Sequence, residues 1–193
     1  VDHLAAADRF EKLFMLDVVH ARARTVVAPL HVALNIEIED AGLALGADRP
    51  VLPVCTLEAI AQVAWHAHSA PAVIACLDAR MREVYAAAYT RDGDRWRETS
   101  APEVATPDVI RRPADTVEWF GAGDGFARFP SLVSRLNLRA CDATARPDAR
   151  AIAELAAPRF AAGEGVDAAA ARPLYVRHRV ALTTAERAAG ARL

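Results

Sequence analysis

Residues 72–99, which read AVIACLDARMREVYAAAYTRDGDRWRET, decide the fold of this chain. The apolar run at residues 72–78 ends in an acid, and this pattern predicts a buried strand. Residues 83–90 alternate with a period of two, which is typical of a second strand. This alternation places Tyr85 and Tyr89 on one face and Val84, Ala86 and Ala88 on the other. A turn and a further strand follow directly, so the whole stretch is predicted to be one sheet.

The turn after the second strand has specific chemistry. Asp92-Gly93 is a typical hairpin signal, and residues 95–99 after it have the composition of a third strand. We therefore predict three consecutive antiparallel strands.

Helices and short strands are predicted on both sides of this sheet. Upstream, residues 51–55 form a short buried strand, and apolar residues recur at helical spacing from Leu57 to His68, with Thr56 as the N-cap. Downstream, the predicted elements are a capped short helix at residues 106–110, a strand at residues 117–120, and a helix at residues 148–160 that contains Pro158 and is closed by Gly163. This order predicts an α/β fold of the ribonuclease-H-like, actin-like ATPase type, with a mixed sheet and flanking helices, although other α/β folds share the order.

Residues 1–41 give weaker signals than the rest of the chain. Residues 31–38 alternate as a half-buried strand does, but no clear turn chemistry surrounds them. Residues 42–46 are typical of the end of an apolar helix that closes on a glycine. We expect an atypical, shortened and incomplete amino-terminal lobe at residues 1–70 and an actin-like carboxyl-terminal lobe at residues 71–193.

The composition is that of a globular chain. Hydrophobic residues make up 53% of the 193 residues and charged residues 25%, which argues against disorder. The net charge of −2 excludes the bulk basicity of a free-standing nucleic-acid binder, so RNA contact would need a local patch or a partner protein. No apolar stretch reaches the roughly 18 residues of a membrane helix, so we expect a cytoplasmic protein. The three cysteines lack CxxC spacing and are interpreted as small buried residues.

Two patterns suggest binding sites but have simpler interpretations. His66 and His68 lie two residues apart, which on a helix points their rings about 200° apart, so a shared metal ion is disfavoured. We expect His68 to be partly buried and His66 to be exposed. Residues 121–125 (GAGDG) lie between a strand and a helix, where backbone amides can hold phosphate. However, the spacing is not G-x-G-x-x-G and Asp124 would repel phosphate, so a tight turn is preferred.

Asp78 ends a central strand, where active members of the actin-like superfamily place acids that coordinate metals. Because Arg80 and Arg82 lie close in sequence, an ion pair that braces the hairpin is preferred over catalysis. Nucleophilic catalysis has no support, since the serines lie outside a G-x-S-x-G context and no cysteine has an evident histidine partner. We predict no catalytic, cofactor-binding or metal-binding residue.

Three motifs indicate a family. Residues 78–85 resemble the D-A-R-x-x-E-V-Y signature of TsaB (YeaZ) proteins, and residues 42–59 resemble the helix, strand and V-S-T-L-E-A segment that precede it. Residues 173–177 resemble the closing P-x-Y-[LV]-R tail. The matching signature positions are Asp78, Arg80, Glu83, Tyr85, Pro173, Tyr175 and Arg177. The resemblance covers the chain from about Gly42 to its end, whereas residues 1–41 lack the family's Gly-Pro-Gly-Ser-Phe-Thr-Gly-type loop.

The resemblance implies a non-catalytic scaffold subunit that needs no cofactor. TsaB proteins share the fold of the catalytic subunit TsaD, pair with it through helices of the first lobe, and are joined by the ATPase TsaE. The complex modifies adenosine beside the tRNA anticodon to threonylcarbamoyladenosine, so tRNA would meet this chain indirectly. The implied partner surface lies at Gly42, Leu43 and Leu45, and a homodimer is a further expectation.

Two alternatives stay open from the sequence. The chain could be an ATP- or metal-dependent hydrolase or peptidase-like enzyme of the same fold, because the wider family carries a glycoprotease label. It could also be a truncated paralogue that has lost complex formation, since a shortened first lobe puts pairing in doubt. Ligand binding would favour the first, and failure to replace the normal subunit would favour the second.

Overall fold

The computed structural model describes residues 33–34, 43–174 and 176. Of the strand predicted at residues 31–38, Ala33–Leu34 is described as strand β1, which pairs parallel with β2 at Leu52–Pro53. Val51 extends this region by an antiparallel bridge to Val166. Three of the residues singled out by the sequence lie outside the described part of the chain: Gly42, Tyr175 and Arg177.

A mixed sheet of five strands forms the centre of the described structure. In chain order these strands are β3 (Ala72–Asp78), β4 (Val84–Asp92), β5 (Arg95–Ala105), β6 (Phe120–Ala122) and β7 (Ala140–Asp142). Their spatial order is β5-β4-β3-β6-β7, in which β3, β4 and β5 pair antiparallel and β3, β6 and β7 pair parallel. The predicted α/β class, mixed sheet and three adjacent antiparallel strands are confirmed.

Helices cover both faces of this sheet. The helices are α1 (Thr56–His68), α2 (Gly125–Arg128), α3 (Ser131–Arg135) and α4 (Ala149–Ala161). On one face, α1 packs against Val73, Ala75, Ala87 and Tyr89. On the other face, the core surrounds fully buried Trp119 and contains side chains of β3, β4, α2 and α3. The alternation in β4 thus separates two apolar cores, as a period-2 pattern requires.

Helix α1 lies where the sequence places it, with two corrections. Its N-cap is Cys55 and its first helical residue is Thr56, so the predicted threonine cap is wrong. Cys55 has the extended backbone (φ −68°, ψ 129°) that an N-cap position needs. The expected partial burial of His68 is also wrong, because this residue is exposed, with 39% of its side chain accessible to solvent. His66 is exposed, as expected.

Downstream of the hairpin the structure differs from the sequence prediction in three more places. Residues 107–109 form one turn and no helix, because Arg135 donates hydrogen bonds to carbonyls in this segment that a helix would need. Strand β6 begins at Phe120, since the Asp115 carboxylate accepts from the Val117 amide and the Trp119 ring and holds the preceding residues in a turn. Strand β5 is longer than predicted and contains Pro102, which an edge strand tolerates.

Helix α4 closes the α1 side of the molecule. The Asp148 carboxylate caps it by accepting a 2.7 Å hydrogen bond from the Ala151 amide. The helix continues through Pro158 to Ala161, and Gly163 follows with a φ of +79°, as expected for the residue that closes a helix. Its buried side chains pack against β2 and α1 in a small apolar cluster.

Candidate functional site

The signature segment forms the turn between β3 and β4. The Ala79 amide donates to the Glu83 carbonyl (3.0 Å), and the Glu83 amide donates to the Arg80 carbonyl (2.8 Å). The Asp78 Oδ1 atom accepts a 3.0 Å hydrogen bond from the Arg80 amide. Glu83 therefore belongs to the turn, and the strand begins one residue later at Val84.

Asp78 is held by an arginine, as the sequence suggests. Its Oδ2 atom lies 3.4 Å from Arg80 Nη1, and the carboxylate side chain is 16% exposed. Arg82, the second arginine named with it, is exposed and makes no ion pair with any described residue. The brace of the hairpin is therefore one arginine and several backbone hydrogen bonds.

A second acid, which sequence reasoning did not connect to this site, lies beside Asp78. Asp124 accepts a 2.9 Å hydrogen bond from the Asp78 amide through Oδ1, and its Oδ2 lies 3.6 Å from Arg146 Nη2. The carboxyl ends of parallel strands meet at one edge of a sheet, which is the signal that could have joined Asp124 to Asp78. Arg146 follows β7 and has no signal in the sequence, because its contact depends on tertiary placement.

The glycines of the GAGDG stretch are required by close packing on β3. A Cβ atom at Gly123 would lie 2.3 Å from the Cys76 carbonyl oxygen, and φ there is +112°. A Cβ atom at Gly125 would lie 2.4 Å from Cys76 Sγ. Only glycine fits where two backbones approach so closely, so these residues form a tight turn against the central strand, as predicted.

The two histidines of α1 pair with different acids. His66 Nε2 lies 2.7 Å from Glu154 Oε2. His68 Nε2 lies 2.9 Å from Asp142 Oδ2, and its ring stacks on Phe120 with 4.8 Å between centroids. The hydrogen bond from His68, followed by that from Thr144, holds the pKa of Asp142 down at about 2. Within residues 33–34, 43–174 and 176, no group of three or more His, Cys, Asp or Glu side chains is placed to hold a metal ion.

The cysteines differ in environment. Cys76 is buried between the β3 backbone and the glycine turn, while Cys55 and Cys141 are half-buried. Burial raises the pKa of the Cys76 thiol to about 12 and that of Cys141 to about 11, so both stay protonated at neutral pH. Protonated thiols are poor nucleophiles. Cys76 is buried, as predicted, whereas the predicted burial of Cys55 and Cys141 is wrong, because both are only half-buried.

A cavity of about 400 Å³ lies where the amino terminus of α1 meets the carboxyl-terminal tail. Glu58 and Arg159 line it together with Leu77 and Tyr85 of the sheet. The tail contributes Arg172, Pro173, Leu174 and Val176. Burial raises the pKa of Glu58, and the nearby Arg159 guanidinium offsets part of that rise. The signature residues Tyr85 and Pro173, far apart in sequence, thus share one cavity.

Two apolar residues of the predicted partner surface are exposed. Leu43 is 73% exposed and Leu45 is 59% exposed, both on a helical turn at residues 43–46. Among the described residues, no helix is both long enough and apolar enough to cross a bilayer.

Comparisons with known proteins agree with this geometry. The family model of TsaD, described as tRNA N6-adenosine threonylcarbamoyltransferase, matches residues 27–120. The Escherichia coli K12 protein named tRNA threonylcarbamoyladenosine biosynthesis protein TsaB is 36% identical over 144 residues, covering 72% of this chain and 62% of the relative. The protein of the same name from Haemophilus influenzae is 34% identical over 147 residues, covering 72% and 61%.

Solved structures of Pseudomonas aeruginosa proteins share the fold. YeaZ superposes with a TM-score of 0.64 at 36% identity, covering 70% of this chain and 62% of that one. A protein described by its similarity to peptidase YeaZ superposes with a TM-score of 0.65 at 38% identity, covering 71% and 63%. The chain therefore spans less than two thirds of the length of these relatives.

The mixed sheet, its flanking helices and the braced acid at the end of its central strand define an α/β protein with the actin-like (ASKHA) fold of TsaD-type proteins. Sequence identity above one third with named relatives narrows this class further. Over the 72% of its length that the curated relatives match, the chain is similar to the TsaB (YeaZ) family.

Proposed function

We propose that this chain is a non-catalytic scaffold subunit in the formation of tRNA threonylcarbamoyladenosine and that it pairs with a TsaD-type catalytic subunit. The names of its E. coli and H. influenzae relatives support the pathway. A TsaE-type ATPase joins the complex, a homodimer is an alternative assembly of the free chain, and tRNA reaches the chain within that complex, in the cytoplasm.

The observation that carries the non-catalytic role is the bracing of the strand-end acids. An acid that coordinates a metal or activates water must direct a lone pair of its oxygens into open space. Here both oxygens of Asp78 face Arg80, through its amide and its guanidinium. Asp124 in turn faces the Asp78 amide and Arg146. These contacts favour a structural brace over a catalytic group.

The proposed partner surface is the exposed helical turn at residues 43–46. Leu43 and Leu45 lie on either side of the buried Ala44 and expose more than half of their area to solvent, so a partner that covers this turn would bury apolar surface on both sides of it. The division into a first lobe at residues 1–70 and a second at residues 71–193 stays a prediction. Helix α1 of the first part packs on the sheet of the second, so the two would share a core.

A pull-down and size-exclusion experiment tests the proposal. The chain is mixed at micromolar concentration with the TsaD-type subunit of the same source, and we expect co-elution. Leu43→Glu with Leu45→Glu should weaken co-elution, whereas Val109→Glu, at an apolar residue 52% exposed elsewhere on the surface, should not. Absence of co-elution by the wild-type chain would remove the proposed pairing and favour a truncated paralogue.

An enzymatic function is the second candidate, since one P. aeruginosa neighbour is described by similarity to a peptidase. The structural feature in its favour is Glu58, an acid with a raised pKa in an apolar cavity, which is a property of general acids. A thermal-shift screen with ATP, magnesium and zinc separates the candidates. A ligand-dependent rise in melting temperature that Glu58→Gln abolishes would favour the enzyme.

A further inference from the structure

The tip of the β3–β4 turn has an unusual backbone. Arg80, Met81 and Arg82 have φ angles of +62°, +50° and +63°, so three consecutive residues with side chains lie in the left-handed region. Each such residue costs about 1–2 kcal/mol relative to its preferred conformation. Backbone strain of this kind persists where the surrounding contacts enforce it and is concentrated at functional positions.

Specific hydrogen bonds enforce this conformation. The Asp78 carboxylate accepts from the Arg80 amide, and Glu83 is bonded at both its amide and its carbonyl within the turn. Asp124 then fixes the Asp78 amide from the neighbouring strand end. Hydrogen bonds thus fix the turn to the ends of β3 and β6, and the conformation of its tip is set in the absence of a partner.

The tip presents positive charge to solvent. The Arg80 side chain is 65% exposed, Met81 is 60% exposed, and Arg82 is exposed. Arg82 makes no ion pair with a described residue, and Arg80 reaches Asp78 with one nitrogen only, at 3.4 Å. Arg146, 57% exposed, joins the same network through Asp124. Three exposed guanidinium groups therefore lie along this edge beside three less exposed carboxylates, those of Asp78, Asp124 and Glu83, in a chain whose net charge is −2.

We propose that this cationic tip, formed by Arg80 and Arg82 with Arg146 beside it, contacts phosphates of an RNA backbone. The inference rests on the proposed role in tRNA modification and deepens it, because it adds a direct contact to the indirect one expected from the sequence. Guanidinium groups bind phosphate with paired hydrogen bonds, and a fixed turn loses little entropy on binding. An overall negative chain has no long-range attraction for RNA, so such a contact must be local.

The experiment measures binding of an unmodified tRNA transcript. Filter binding is performed with the chain alone and with the chain assembled with its TsaD- and TsaE-type subunits, from about 50 to about 200 mM salt. The test variant is Arg80→Ala with Arg82→Ala. The matched control is Arg95→Ala with Arg97→Ala. These two exposed arginines lie at the start of β5, beside the turn that follows β4, and their removal changes the net charge by the same amount as the test variant does.

We expect the test variant to bind tRNA about tenfold more weakly at low salt and to reduce the slope of log affinity against log salt by about two, because each of the two arginines neutralises one phosphate. The control variant should bind as the wild type does. Arg80→Lys with Arg82→Lys keeps the charge and should retain most of the affinity, and a thermal melt of each variant confirms that it folds.

Equal tRNA binding by the test and control variants would overturn the inference, and so would the absence of tRNA binding by the wild type in both forms. If the test variant alone binds tRNA as the wild type does but no longer co-elutes with the TsaD-type subunit, the tip contacts an acidic protein surface and the inference is also overturned. Failure of the proposed function is seen separately, as a wild-type chain that does not co-elute with the TsaD-type subunit.

Discussion

The side-chain oxygen of Gln62 accepts a 3.0 Å hydrogen bond from the Arg91 guanidinium, and this contact joins α1 to β4. The same oxygen accepts a 2.8 Å bond from the Trp96 ring of β5, and the Gln62 amide nitrogen donates to Glu154 of α4 at 2.9 Å. Arg91 also lies over the rings of Trp65 and Trp96, at 4.9 and 5.2 Å. One buried amide thus connects four elements.

Gln62→Leu should therefore destabilise the chain strongly. Gln62 is 7% exposed, and its loss leaves Arg91 and Trp96 donors without their acceptor inside the protein. We expect the free energy of unfolding to fall by about 2–3 kcal/mol, the cost of stranded buried polar groups. Urea denaturation measures it. His66→Ala, one turn further along α1 and more exposed, should cost less than about 1 kcal/mol. A loss for Gln62→Leu that is no larger than this control would contradict the connecting role.

The glycine turn against β3 gives a second prediction. Gly123→Ala places a Cβ atom 2.3 Å from the Cys76 carbonyl oxygen at a φ of +112°, so we expect a loss of stability of about 2–4 kcal/mol. The control is Gly46→Ala, because nothing lies within 4 Å of a Cβ atom there. Thermal unfolding of both variants measures the difference. If the two alanine variants melted alike, close approach would not explain the glycine.

The central part of the fold could be predicted from the sequence because local patterns and long-range packing agree there. The continuous apolar run of β3 and the alternation of β4 each match the faces that are buried. Residues 107–109, predicted as part of a helix, form a turn because the guanidinium of Arg135, from a distant helix, binds the carbonyls of Asp108 and Ile110. The local sequence around the turn, including its predicted capping residue, does not indicate that a distant arginine binds these carbonyls.

The candidate site was partly predictable. The pair of Asp78 and Arg80 follows from adjacency in sequence. The link from Asp78 to Asp124 depends on the parallel pairing of β3 and β6, which no local pattern encodes. The left-handed tip was invisible for a further reason: arginine and methionine rarely adopt positive φ, so a turn of this kind would be sought at glycine or asparagine.

The contact between His68 and Asp142 predicts an acid-sensitive contribution to stability. The hydrogen bond from His68 lowers the pKa of Asp142 to about 2 from an ordinary value near 4. Because the folded-state pKa is lowered, the carboxylate stabilises the fold above pH about 4, and this contribution is lost as pH falls toward about 2. Asp142→Asn should therefore be less stable than the wild type at neutral pH, by less than about 1 kcal/mol, since the pair is partly exposed.

Melting temperatures of the wild type and Asp142→Asn between pH about 2 and about 7 check this expectation. The difference between them should shrink as pH falls through the window from about 4 to about 2. Asp94→Asn serves as the control, because that aspartate is fully exposed and its only described ion pair is long, at 4.0 Å. A difference that stays constant over the whole range would show that the Asp142 carboxylate does not stabilise the fold through its charge.

Arg82→Gly separates the strain of the cationic tip from its charge. Glycine adopts a φ of +63° freely, whereas for arginine this angle costs about 1–2 kcal/mol, and glycine costs about 0.5–1 kcal/mol in chain entropy, so we expect a net gain in stability of about 0.5 kcal/mol. Arg97→Gly, in the extended strand β5, should instead lose about 0.5–1 kcal/mol because no strain is relieved there. Urea denaturation of the two variants measures whether the free energy of unfolding rises for Arg82→Gly and falls for Arg97→Gly. Equal destabilisation by both would mean that the left-handed tip is not strained, and the idea that its shape is maintained for a partner would lose its physical basis.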